Sequence, residues 1–171
     1  MSTVDRVRRL VERVLEIACM LLMIGLAVVV VMAVVYRWAG ASLVWYDEVA
    51  AIMLAWLTYY GAALAAIRRA HLGFPGVFDA SPTAVRVVML VVSETLVIGF
   101  FLLIAWYGWD VIEILAGGSL TSLPWVSVAF TQSVIPIGCA LIAFAELLTL
   151  PERWREVRGH AHAHQHEETV L

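Results

Sequence analysis

Three stretches of this chain, Ile17 to Tyr36, Val49 to Ile67 and Trp125 to Ala145, contain no charged residue, and a fourth, Val87 to Tyr107, is interrupted only by Glu94. A bilayer hydrocarbon core about 30 Å thick is crossed by roughly 20 helical residues at about 1.5 Å rise each, which is the length of these stretches. Lipid offers no partner to backbone N–H and C=O groups, so each stretch is expected to be a helix, and the ten-residue alternation of a membrane barrel is absent. Hydrophobic residues make up 63% of the chain, against about 45–50% in soluble domains. Mean hydropathy is +0.90. The fold class is therefore all-α: an integral membrane protein with transmembrane helices at about 14–36, 46–67, 82–107 extending toward 116, and 124–150. A segment 1–13 precedes them and a tail 151–171 follows.

The first apolar stretch exceeds the 7–15 residues or so of a secretory signal core, and Glu16 already opens it, so an uncleaved first helix is expected. Cys19 and Cys139 both fall inside spans and form no CxxC motif. All eleven basic residues are arginines. Arg6, Arg8, Arg9 and Arg13 precede the first span, Arg68, Arg69 and Arg86 bracket the middle loop, and Arg153, Arg155 and Arg158 follow the last; only Arg37 lies opposite. The excess of positive charge marks the cytoplasmic side, which puts both termini and the middle loop there. Asp47, Glu48, Asp110 and Glu113 fall on the other side, among Tyr36, Trp38, Trp45, Tyr46, Trp106, Tyr107, Trp109 and Trp125. Amphipathic rings of this kind belong at the headgroup level.

Asp47 and Glu48 stand in the first turn of the second span, where the helix dipole favours a carboxylate. They are expected either to anchor that helix against Arg37 or to meet a basic residue of a partner chain, with Trp45 fixing the depth. Further in, Gly61 with Ala65 and Ala62 with Ala66 place small residues four apart, so that another helix can approach closely. Ser81 and Pro82 read as an N-cap and first helical position for the third span, and Gly117-Gly118 as its end. Pro136 lies about 18 Å into the fourth span and is expected to kink it by removing a hydrogen bond to the Gln132 carbonyl, and Pro151 to end it. In the tail, His160, His162, His164 and His166 alternate without apolar periodicity. That pattern predicts disorder, and it could hold a metal such as Zn or Ni only without fixed ligand geometry.

Glu94 is the ionisable residue that falls well inside a span, eight residues and so about 12 Å beyond Arg86. A carboxylate at that depth needs a partner or a proton. It is either an ion- or proton-coupling site or a bonded group facing another helix or subunit. Likewise "TQSVIP" at 131–136 either lines a substrate path or is an ordinary kink. A stand-alone proton-coupled exporter using Glu94 is one functional class that fits. A haem cytochrome is not, since no histidine lies within the spans. No cofactor, catalytic group or nucleic-acid site is expected.

The stretch "WYDEVAAIMLAWLTYYGAALAAIRRAHLGF", with Trp45, Asp47, Glu48, Trp56, Gly61, Ala62 and His71, resembles the second helix and following loop of the small permease subunits of tripartite ATP-independent periplasmic (TRAP) transporters, the DctQ-like family. "IPIG", Ile135 to Gly138, resembles that family's proline-containing fourth helix. The resemblance implies a small scaffold subunit in the cytoplasmic (inner) membrane. Its partners would be a large elevator-type permease subunit that holds the substrate and Na⁺ sites, and a periplasmic binding protein that captures an organic acid.

Overall fold

The computed structural model describes residues 3–68 and 82–168. Its elements are α1 (Thr3–Trp38), α2 (Tyr46–Ile67), α3 (Thr83–Ile114), the single-turn α4 (Val128–Gln132) and α5 (Val134–Glu168). Most of the described residues are helical. Four helices are long and apolar enough to cross a membrane: Asp5–Trp38, Tyr46–Ile67, Val85–Ile114 and Val128–Arg155, the last including α4. This is the all-α membrane architecture that the uncharged stretches predict.

The helices stand in a row rather than in a closed ring. α1 packs on α2, α2 on α5, and α5 on α3, whereas α1 and α5 meet only marginally. The two outer helices of the row leave much apolar surface to the surroundings: Leu21, Ile24, Val28 and Val31 of α1, and Val88, Val92, Leu96 and Leu103 of α3, are all exposed. Lipid or another chain solvates such faces, because in a bilayer no hydrophobic penalty attaches to them.

Local chemistry explains the ends. After α1 the chain turns through Gly40, whose φ of 78° lies in the left-handed region. Ala41 N donates to the Tyr36 carbonyl and Gly40 N to that of Arg37, at 3.0 and 3.1 Å, which is the hydrogen-bond pattern of a Schellman cap. Between α3 and α4 the chain forms a short hairpin: Leu120 N donates to Val126 O and Val128 N to Gly118 O, each at 3.0 Å. Ser127 then caps α4, its Oγ accepting from Ala129 N at 3.2 Å.

Two sequence expectations, the start of the fourth span and its end at Pro151, are corrected. The fourth span begins with α4 at Val128, not at 124, because residues 118–127 are spent on the hairpin. The interruption falls at Ser133, directly after Gln132, the residue whose carbonyl Pro136 leaves without its helical donor, in line with the kink expected there. Finally, α5 runs through Pro151 to Glu168, so the helix does not end at Pro151 and the backbone of 151–168 is helical where disorder is predicted. A proline removes one donor, to the carbonyl four residues back, and that single loss does not terminate a helix whose neighbouring bonds stay intact.

Two glycines of the later helices allow close packing. A Cβ on Gly138 would lie 2.6 Å from Tyr59 Cβ, and one on Gly108 would meet the Pro136 ring at 3.3 Å. Gly61 has open space around its Cβ direction. In α2 the buried small residues are Ala63 and Ala66, which with Leu15, Ile67, Ile142 and Ala145 form the core where α1, α2 and α5 meet.

Candidate functional site

Two polar assemblies sit at opposite ends of the helices, and between them they hold most of the residues singled out from the sequence. His71 and Arg69 lie outside the described residues, as do the side chains of Arg158 and of the tail histidines.

At the hairpin end, α2 opens at Tyr46 with Asp47 and Glu48 in its first turn. Glu48 reaches across to the hairpin: Oε1 accepts from Thr121 N at 3.3 Å, and Oε2 accepts from Ser122 N at 3.0 Å and from the Ser122 hydroxyl. One carboxylate thus satisfies two loop amides that have no sheet or helix to bond to. Arg37 is directed at Tyr46, its Nη2 donating to the phenolic oxygen at 2.6 Å and its guanidinium 5.8 Å from the ring centroid. Asp47 is exposed, with no hydrogen bond or ion pair to any described residue. Trp45 is half-buried beside it, while Trp38, Trp106 and Trp125 are largely exposed. The adjacent acids therefore separate: Glu48 binds the chain's own loop, and Asp47 faces outward.

Midway along α2, half-buried Trp56 meets the interruption in the fourth span. Its Nε1 donates to the Thr131 carbonyl at 3.1 Å, and its ring packs on Phe130 and Tyr60 with centroids 5.4 and 6.0 Å away. The hydroxyls of Thr131 and Ser133 turn back to the carbonyls of Val128 and Phe130, at 2.8 and 2.7 Å. The two hydroxyls of "TQSVIP" thus bind backbone, as Ser and Thr do at a helix kink.

The opposite end is laced by the arginines. Arg8 of α1 binds Glu152 of α5, its Nη1 2.8 Å from both carboxylate oxygens, and its Nη2 caps the α2 terminus through the Ile67 carbonyl at 2.9 Å. Arg68 donates from Nε to Glu12 at 2.8 Å and lies 3.2 Å from Glu16. The hydrogen bonds to Glu12 and then Glu16 push its guanidinium further above the usual arginine range. Arg153 of α5 binds Glu94 of α3 and lies 2.8 Å from Glu146. Arg6, Arg9, Arg13 and Arg155 are exposed, and Arg86 is 5% exposed. Arginines that sequence reasoning reads only as markers of orientation include three that tie the helices together: Arg8, Arg68 and Arg153.

These links also relocate Glu94. Val85–Ile114 has 30 residues, about 45 Å of helix against a hydrocarbon core of about 30 Å. Counting inward from Arg86 therefore overstates depth. Because Glu94 meets Arg153, next to the Glu152 that meets Arg8 and the α2 terminus, it lies at the level of the arginine-bearing end and not in the middle of the row. Its residue is 5% exposed, and its second oxygen, Oε2, is buried without a hydrogen-bond partner. No group of three metal-ligating side chains occurs among the described residues.

Sequence reasoning missed the partners more than the sites. Thr121 and Ser122 carry no signal beyond loop composition, and Gly138 enters it only within "IPIG". Glu12 and Glu152 lie among the charges at either end, where only the fold says which meets which.

Residues 26–156 match the family model described as "Tripartite ATP-independent periplasmic transporters, DctQ component". A comparison with individual curated proteins finds no match.

Proposed function

The chain belongs to the DctQ family, the small membrane component of TRAP transporters, and from that premise we propose that it is the fixed scaffold subunit on which a large elevator-type permease moves. Uptake would be Na⁺-coupled, the cargo an organic acid, and a periplasmic binding protein would deliver it. Both termini and the middle loop would lie in the cytoplasm and the hairpin end on the periplasmic side of the inner membrane, as the arginine distribution predicts.

The observation that carries this reading is the open row of helices. A row of four helices with exposed apolar flanks does not close round a polar solute, but it suits lateral packing against a larger membrane protein. The arginine lacing at one end and the Glu48 staple at the other hold the row as a unit. Asp47, exposed beside Trp45, is the candidate for a basic residue of a partner. Glu94, bonded to Arg153, lends no observation to the exporter reading.

The test is purification in mild detergent followed by reconstitution. A many-spanning permease should co-purify, and liposomes should take up solute only when this chain, the permease and the binding protein are all present with a Na⁺ gradient. Transport by the isolated chain would overturn the proposal.

A further inference from the structure

An apolar groove of about 390 Å³ runs along the outside of the α3–α5 pair at the arginine-bearing end. Leu90, Val91, Ile98 and Leu102 of α3 and Leu150 of α5 form its walls, with Trp154 at one end and Glu94 among the lining residues. From Leu90 to Leu102 it extends about 18 Å along the helix. Half of a hydrocarbon core is about 15 Å. Beyond Glu94 the groove continues about 12 Å to Leu102, most of the depth of one leaflet, while Leu90 and Trp154 flank its outer part, Trp154 being a side chain suited to the headgroup level.

Its polar feature is the second Glu94 oxygen, which is buried and lacks a donor. Burying an acceptor unpaired is costly, and this oxygen is closed to solvent as it stands. Arg153 occupies the other oxygen and is shared with Glu146, so carboxylate predominates around that guanidinium. An occupant that fills the groove with a hydrocarbon chain and brings an N–H donor with positive charge to Glu94 matches both features.

We propose that this groove binds a phospholipid with a primary-ammonium headgroup, of the phosphatidylethanolamine class, whose ammonium donates to Glu94 after a turn of the carboxylate and whose acyl chain runs from there past Ile98 to Leu102. A trimethylammonium headgroup carries the same charge but has no N–H to donate. The class is thus set by hydrogen bonding as well as by charge. This binding requires only that the chain crosses a bilayer, not the transport role.

The experiment is native mass spectrometry of the delipidated full-length chain titrated with phosphatidylethanolamine, phosphatidylcholine or phosphatidylglycerol of identical acyl chains. Phosphatidylethanolamine should be retained about tenfold better than the other two, the effect of one charge-assisted hydrogen bond. Glu94→Gln should reduce it to the level of phosphatidylcholine. A second variant guards against a folding defect: Gly99 lines the groove and has open space at its Cβ direction, so Gly99→Leu places a side chain in the groove. It should keep the helical circular dichroism and lose retention of all three lipids. Equal retention of the three in the unmodified chain would mean tail contact alone and would overturn the proposal. So would preference for phosphatidylglycerol, retention unaffected by Gly99→Leu, or no bound lipid, the result expected if a partner helix covers the groove.

Discussion

Gly138 of α5 lies so close to Tyr59 of α2 that a methyl group at position 138 would come within 2.6 Å of the tyrosine Cβ. The Tyr59 Cβ is fixed to the backbone and cannot swing aside, so the two helices themselves must separate. Gly138→Leu should destabilise the chain by about 1–3 kcal/mol, the usual cost of overpacking. Gly61→Ala should be neutral or slightly stabilising, since the added methyl meets nothing and alanine favours helix by about 1 kcal/mol over glycine. Thermal unfolding in detergent measures both, and a tolerated Gly138→Leu would refute the close approach.

Glu48 and Asp47 should separate experimentally as they do structurally. Glu48→Gln weakens the acceptor for Thr121 and Ser122, and their amides should exchange hydrogen at least several-fold faster, while exchange in the middle of α2 stays unchanged. Asp47→Asn should leave the same pattern intact. If Asp47 meets a partner, this second variant reduces recovery of the permease complex without altering the isolated chain.

Arg153 is shared by two nearly buried carboxylates, Glu94 and Glu146. Arg153→Met removes the shared cation and should cost about 3–5 kcal/mol, the range for breaking a buried pair on one side. Adding Glu94→Gln and Glu146→Gln to it should recover much of that loss, because the charges left behind are then gone. Melting temperatures of the single and triple variants decide it, and a triple variant no more stable than the single would show that charge is not the cause.

Trp56→Phe keeps an aromatic ring against Phe130 and Tyr60 but deletes the donor to the Thr131 carbonyl. A loss of about 1 kcal/mol is expected, the net worth of one hydrogen bond. Exchange should quicken first at α4 and the Ser133 break, and an unchanged melting temperature with unchanged exchange would remove Trp56 from this role.

The four crossings were legible in the sequence because lipid imposes a one-dimensional rule: a run of about 20 uncharged residues must be a helix, whatever it packs against. The family resemblance was legible too, in Trp45 to His71 and in "IPIG", and the family match over 26–156 bears it out. Pairing was not legible. Nothing local to Glu48 says that its partners are Thr121 and Ser122, nothing near Arg8 points to Glu152, and Gly61 and Gly138 look equally suited to close packing. Those choices depend on which helices become neighbours and on the height at which each stands, and only the assembled row of α1, α2, α5 and α3 determines them. Depth follows the same division. Hydropathy located Glu94 within a span, but the span is longer than the bilayer, so its level had to be read from Arg153 across the helix pair.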